Sequence, residues 1–562
     1  MWQLKSVGYQ IYIKSFYDAN NDGIGDLIGI YEKLDYLNYL GVNLIWITPF
    51  YESPMDDNGY DVSDFFKVDK IYGNLNDFKM ILKKAKSLNM KVIIDFVLNH
   101  TSDEHPWFLE SRKDKNNKYR DYYIWGTPKT IDGEKMPPTN WGSFFGGSAW
   151  EYDKNTDEYY MKIFSKKMPD LNWENDNVLN EFIKIGKFWL DLGVDGFRMD
   201  AISHLEKAPF VDSTYSKDVV LDWHKFSNLP KVHHYIKELN EKLFKPYNAF
   251  TIGEVGGEAS IDEAIKYSSF KSNELSMVFN FDHNWQNNLH EIINYNDLKT
   301  NVKGLKEILN KWQQHFKNIG ILPLNWLNHD QPRVVSHYGN INYHEKSAKM
   351  LATLMYLKRG MPFIYQGEEI GMTNYPFSNI DEFNDISTIN RYYEEIKKHP
   401  NKREDILKDV SKTSRDHPRT MMQWDNTKYA GFSKNKPWFL VNPNKDSINV
   451  KEQLENKNSI LHYYKKIIYL RRFSKYQDII VNGDYNLLEF NNDNIFSYIR
   501  KHEEKTLIVI TSFSTNKETI NLNDYIIDEV IINNYEDVLI NNNKLTLHPY
   551  QAIAYIIKEI KI

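Results

Sequence analysis

Three carboxylates in this sequence stand at the ends of apolar, β-branched runs: Asp200 in GFRMD, Glu254 in FTIGE and Asp330 in ILPLNWLNHD. Two carboxyl groups brought to either side of one bond can divide the work between a nucleophile and a proton donor. Arg198 precedes Asp200 by two positions, so on a strand both side chains point the same way, and the guanidinium is expected to hold Asp200 ionised. An ionised carboxylate suits a nucleophile. Glu254 follows AFTIG, an apolar setting that would raise its pKa and keep a proton ready for a leaving group. Asn99, His100 and His329 also close apolar runs. A single strand-end charge reads equally well as a structural ion pair, whereas the repetition of the pattern points to one shared site.

The elements that would position these residues are eight β-branched and aromatic runs, at 8–16, 43–50, 91–99, 194–201, 250–255, 275–281, 321–330 and 361–369. Amphipathic stretches separate them, for example LIGIYEKLDYLNYLG and LNDFKMILKKAKSLNM, which should stop near Gly41 and Asn89. This βαβ rhythm predicts an α/β fold, a (β/α)8 TIM barrel, in which the C-terminal strand ends converge on one mouth. The stretch from about 101 to 175 is rich in Trp, Tyr, Gly, Pro and Asp, lacks helical period and is too long for a plain loop. It predicts an inserted small domain after strand 3, at 104–171, between barrel segments 1–103 and 172–480. Beyond 480 short alternating runs without helices predict a C-terminal antiparallel β domain, 481–562. The polar segment 372–415 is expected to overhang the barrel mouth.

A chain of 562 residues exceeds one ordinary core, in keeping with several domains. Its formal charge of −6 is spread along the sequence, so no nucleic-acid face or polybasic membrane patch is expected. No cysteine is present, which excludes disulfides, thiolate metal sites and cysteine nucleophiles. The start, MWQLKSVGYQIY, lacks the apolar core of a signal peptide, and no run is long enough to span a bilayer. The expectation is a cytoplasmic protein, a monomer or weak homo-oligomer, with a small molecule as its partner.

A second site is suggested by Asp18, Asn20, Asp22 and Asp26, with Gly23 at the turn and the Ile24 carbonyl available, like the first part of a calcium loop. Position twelve would be Gly29 rather than a bidentate Glu. The expected occupant is a structural Ca²⁺ or Mg²⁺, with no cofactor for catalysis.

The segments QIYIKSFYDANNDGIGDLIGI, NGYDVSDF, DFVLNHTS, MPDLN, GFRMDAISH, IGEVGG, NHDQPRVVS, GEEIGM and SRDHPRTMMQWD occur in this order along essentially the whole chain. Together they resemble the α-amylase superfamily, glycoside hydrolase family 13, and within it the oligo-1,6-glucosidase and α-glucosidase branch. The resemblance implies that Asp200 is the nucleophile, Glu254 the acid/base, and Asp330 a stabiliser of the oxocarbenium-like transition state. It also implies that Asp61, His100, Arg198, His329 and Arg415 bind the terminal glucose, with Tyr60 and Phe164 against its ring. A charged Asp61–Arg415 pair would close the pocket behind a single sugar, and with the family's two-carboxylate scheme this implies a retaining, exo-acting α-glucosidase of short α-glucosides. In similar enzymes Val after the nucleophile accompanies α-1,6 preference, so Ala201 leads to the expectation that maltose-type substrates are accepted. Competing outcomes on the same scaffold are sucrose or trehalulose-type isomerisation, trehalose-phosphate hydrolysis and transglycosylation. The RLDRD-like loop of the sucrose isomerases is missing, and no clear phosphate clamp is seen. A non-catalytic relative, such as a transporter heavy chain, would carry a membrane span and need not keep the acids.

Overall fold

The computed structural model describes residues 2–214, 218–256, 259–286, 300–522 and 525–557. Eight parallel strands, β1 (Gly8–Ile11), β2 (Leu44–Ile47), β3 (Lys91–Val97), β4 (Gly196–Asp200), β5 (Phe250–Glu254), β6 (Met277–Phe279), β7 (Pro323–Leu324) and β8 (Met361–Tyr365), form one sheet. Their order is β6-β5-β4-β3-β2-β1-β8-β7, so the sheet curls into a barrel that lacks a ladder, among the described residues, only between β6 and β7. Each strand falls within one of the eight predicted runs and is shorter than it, because the polar run ends turn out of the ladder to face the mouth.

Alternation along the strands builds two layers. Leu44 and Trp46, Ile93, Phe250 and Ile252, Met277 and Phe279, and Met361 and Phe363 fill the barrel interior. The intervening Ile45, Ile47, Val92, Ile94, Val278 and Ile364 pack outward against the helices. The first helix, Leu27–Leu40, starts where Asp26 accepts a hydrogen bond from the Gly29 N–H and ends at Gly41, whose φ of 99° suits the left-handed cap. Helix Leu75–Ser87 begins with an Asn74/Asp77 capping box and is followed by Asn89 at φ 55°.

The segment after β3 forms a small unit of its own. Its antiparallel sheet orders Trp125–Gly126, Glu158–Met161 and Trp150–Asp153, beside a hairpin of Lys129–Ile131 and Glu134–Met136. The stretch was expected to be without helix, yet Pro106–Ser111 is helical, with Pro at its first turn and the His105 ring accepting from the Trp107 N–H. Phe226, from the β4–β5 connection, enters the core of this unit with Trp141 and Trp150, so that connection and the insert pack as one wall.

After helix Gln477–Asn482, strands Asp484–Leu488, Ile495–His502, Lys505–Ser512, Ala552–Ile557 and Ile527–Asn533 form an antiparallel sheet in that spatial order. A three-stranded sheet packs on it through Ile520, Leu545 and Leu547. The polar segment 372–415 carries helices Ile386–Lys398 and Arg403–Thr413, and Asn390 Nδ2 donates to the Phe145 carbonyl of the insert at 2.9 Å. Family-motif residue Gly257 lies outside the described residues.

Candidate active site

A cavity of about 530 Å³ opens at the C-terminal strand ends, and Asp200, Glu254 and Asp330 all line it. Arg198, buried in the middle of β4, organises the first two. Its Nη1 donates to Asp200 Oδ1 at 2.7 Å and to Asp95 Oδ1 at 2.5 Å, and its Nη2 donates to Glu254 Oε2. Asp200 and Glu254 are also within hydrogen-bonding reach of each other.

One guanidinium is therefore divided among three carboxylates, which changes the electrostatics expected from the sequence. Burial pushes the Asp200 carboxyl well above the usual carboxylate range; Arg198 opposes this, and the charges of Glu254 and Asp95 add to it. Asp95, on β3 and fully buried, is raised to about 6 by burial against the pull of Arg198. The Trp46 indole N–H donates to its second oxygen at 2.5 Å.

Asp330 lies in the opposite electrostatic setting. Burial works against its charge, but His329, Arg415, Arg419 and Arg198 hold it well below the usual carboxylate range. Arg419 Nη2 reaches Oδ1 at 2.7 Å, and His329 Nε2 lies 3.2 Å from Oδ2. The His329 ring stacks on Tyr60 with centroids 5.2 Å apart and planes 3° from parallel, and burial lowers its pKa to about 3. His100, lowered to about 4 by burial, lines the cavity, and its Nε2 has no hydrogen-bond partner within the protein. A buried ring nitrogen left free on the cavity wall is suited to a sugar hydroxyl. Phe164 packs edge-on against His100 at 5.4 Å, and Ala201, at φ 46°, lines the cavity next to Asp200.

Arg415 reaches the site as expected, but Asp61 does not. The Asp61 carboxylate is buried outside the cavity, where it accepts from the backbone N–H groups of Asp56 at 2.8 Å and Asp57 at 3.1 Å. Asp57 is the cavity-lining partner, accepting from Arg415 Nη2 at 2.9 Å. The reason is the turn between them, with Asn58 at φ 52° and Gly59 at φ 104°, which reverses the chain and leaves the two carboxylates on different sides. Arg415 Nη2 also donates to Asp385 at 2.7 Å, and Nη1 lies 3.5 Å from Asp330 Oδ1. Asp385, the N-cap of helix Ile386–Lys398, had no signal in the sequence beyond its capping position. Asp57, Asp95 and Gln10, whose Nε2 lies 2.8 Å from His329 Nδ1, were likewise missed, although all three sit inside or beside quoted motifs.

The Asp18–Asp26 loop is closed by its own hydrogen bonds. Asp18 accepts from the Asn21 and Gly23 N–H groups, Asn20 Oδ1 from Asp22, Asp22 from Ile24 and the Asn20 amide, and Asp26 from Ala19, Asn20 and Gly29. Among the described residues no group of three or more His, Asp or Glu is arranged as a metal cluster. As an oxygen-only set with lone pairs to spare, these residues still fit a hard cation.

The sequence matches the alpha amylase catalytic domain over residues 10–483 and the alpha-amylase SusG C-terminal domain over 495–554. It is 45% identical to an oligo-1,6-glucosidase from Bacillus cereus over 99% of both chains. Among solved structures it is similar to Bacillus licheniformis trehalose-6-phosphate hydrolase, with TM-score 0.90 and 40% identity over 99% of this chain and 100% of that one. An isomaltulose synthase from Klebsiella sp. LX3 superposes with TM-score 0.92 at 38% identity, covering 99% of this chain and 100% of the other.

Proposed function

Since the chain belongs to the α-amylase family and is a glycoside hydrolase, we propose that it is a retaining, exo-acting α-glucosidase that releases glucose from the non-reducing ends of short α-glucosides. The observation that carries the reading is the Asp200–Arg198–Glu254 arrangement, two carboxyl groups on adjacent strands held to one guanidinium. Carboxyls this close leave no space for the water that an inverting enzyme activates.

As acid/base, Glu254 donates a proton to the glycosidic oxygen as the bond to the anomeric carbon breaks. Asp200 attacks that carbon from the other face and forms a covalent glucosyl ester, and the sugar alcohol leaves. Glu254, now ionised, takes a proton from water, whose oxygen displaces Asp200 and yields α-glucose. Asp330, held ionised by its cations, favours the positive charge that develops on the ring. The Asp57–Arg415 pair, with Asp385 behind it, supports a closed inner end that admits one terminal sugar. The Asp18–Asp26 loop is proposed to take Ca²⁺ or Mg²⁺ as a structural ion, remote from these steps.

Hydrolysis of a neutral substrate is favoured over that of a phosphorylated one. Among the described residues the cavity lining carries a single always-charged cation, Arg415, already engaged by Asp57, Asp385 and Asp330. Its lining histidines His100, His204 and His329 are lowered by burial to about 4, 3 and 3. A phosphate would find no free positive partner there. Similarity to an oligo-1,6-glucosidase supports α-1,6 substrates and Ala201 supports α-1,4 ones, so both isomaltose and maltose are proposed as substrates. No helix among the described residues is long and apolar enough to cross a membrane.

The test is to follow maltose, isomaltose, sucrose, trehalose and trehalose 6-phosphate by NMR with the D200A variant beside the unaltered enzyme. Initial release of the α anomer of glucose, lost in D200A, is expected. Initial β-glucose, isomerised sucrose as main product, or unimpaired turnover in D200A would each overturn the reading.

A further inference from the structure

We infer that Trp285 is a stacking platform for the second sugar beyond the scissile bond, so that the enzyme selects trisaccharides over disaccharides; this rests on the glucosidase reading above. Trp285 closes a single 3-10 turn, Asp282–Trp285, just after β6, and it borders the same cavity as Asp200 and Glu254.

Every other residue of that turn is used to fix it. Asp282 accepts from the Trp312 indole N–H at 2.8 Å, and the ring of His283 and the amide of Asn284 both bond the Trp326 carbonyl. Tyr338 donates to the His283 carbonyl at 2.7 Å. Trp285 alone projects outward and is 67% exposed. A large indole left in water on a rigidly anchored turn at the rim of a sugar cavity offers an apolar face at a defined position.

Trp223, from the β4–β5 connection, borders the same cavity and is held edge-on against Phe144 at 5.0 Å. A glucan whose terminal residue is bound at Asp200 must leave the cavity past these two indoles. The first departing sugar lies between the walls near Glu254 and Trp223. Only the next one extends to the free face of Trp285, where the C–H face of a pyranose can cover the indole. The effect should therefore fall on substrate binding for longer chains and leave bond cleavage itself unaltered.

The experiment compares kcat/KM for maltotriose with maltose, and isomaltotriose with isomaltose, in the unaltered enzyme, Trp285→Ala and Trp285→Tyr. The trisaccharide-to-disaccharide ratio should fall about tenfold in Trp285→Ala, through KM, and stay within about threefold in Trp285→Tyr. An unchanged ratio, or an equal loss on both lengths, overturns the inference. Failure of the unaltered enzyme to cleave any of the four sugars would overturn the glucosidase reading instead.

Discussion

Gln10 and His329 are joined by a hydrogen bond of 2.8 Å between the amide nitrogen and Nδ1, and this contact selects the tautomer of the imidazole. The amide nitrogen donates, so Nδ1 must accept and the proton sits on Nε2, which faces Asp330 at 3.2 Å. Burial keeps the ring neutral down to about pH 3. Replacing Gln10 by Glu would offer an acceptor where a donor is needed and invite the wrong tautomer. Q10E should lower kcat by about 10- to 100-fold, the range seen when an orienting partner is lost, while Q10M should be less harmed because it leaves the ring free to choose. Equal kcat in Q10E and the unaltered enzyme would show that the tautomer is set elsewhere.

Asp57 and Asp61 of the segment DDNGYD should separate cleanly. Asp57 holds Arg415 at the cavity wall, whereas Asp61 holds the backbone of the turn that carries Asp57. D57A removes a charge-assisted partner from the sugar site and should reduce kcat/KM about 100-fold or more. D61N keeps one acceptor oxygen, so its kcat/KM should stay within about tenfold while the melting temperature falls. The reverse ranking in steady-state assays would return Asp61 to the site.

These two aspartates also mark where reading the sequence stops. The eight strands and the residues at their ends were evident because each apolar run closes on a polar side chain, and barrel geometry then gathers those ends. Asp57 was missed because a four-residue spacing across Asn58 and Gly59 says nothing about direction once both backbones turn to positive φ. Asp385 was missed because its partner, Arg415, lies thirty residues further on, a distance no local pattern encodes. Asp95 sits in mid-strand in DFVLNH, and only the folded barrel reveals that Arg198 serves it as well as Asp200 and Glu254.

Glu368 offers a test of linkage away from the cavity. It is fully buried, accepts hydrogen bonds from Tyr356 and Tyr464, and is raised to about 7 by that burial. A carboxyl whose folded pKa lies above its unfolded value binds more protons when folded, so its contribution is complete below about pH 4.5 and is lost as pH rises to about 7. The loss amounts to about 3 kcal/mol at roughly 1.4 kcal/mol per pKa unit. E368Q cannot ionise, so its melting temperature relative to the unaltered protein should be more favourable at pH 8 than at pH 5. A difference independent of pH would mean that Glu368 titrates normally.

The ion proposed for the Asp18–Asp26 loop can be tested by chelation. The loop's side chains already accept from loop N–H groups, and a hard ion taking the remaining lone pairs would stabilise the native state by mass action. EDTA should lower the melting temperature by several degrees, restored by Ca²⁺ or Mg²⁺, with the effect absent in D22A. Identical melting curves with and without EDTA would remove the ion from the account.

Linkage preference should turn on the side chain that follows Asp200. Ala201 lines the cavity at φ 46°, a conformation that disfavours β-branched residues, so Val there must both narrow the cavity and strain the backbone. The added bulk would crowd one arrangement of the departing sugar more than the other, and a change of one or two methyl groups in a pocket shifts selectivity by about 10- to 200-fold. A201V should therefore lower kcat/KM on maltose relative to isomaltose by at least about tenfold, with a modest loss in melting temperature from the strain. Both ratios need measuring, because a strong isomaltose preference in the unaltered enzyme would show that Ala201 does not govern linkage. In that case the selectivity must arise further out, where the departing sugar meets the walls beyond Glu254.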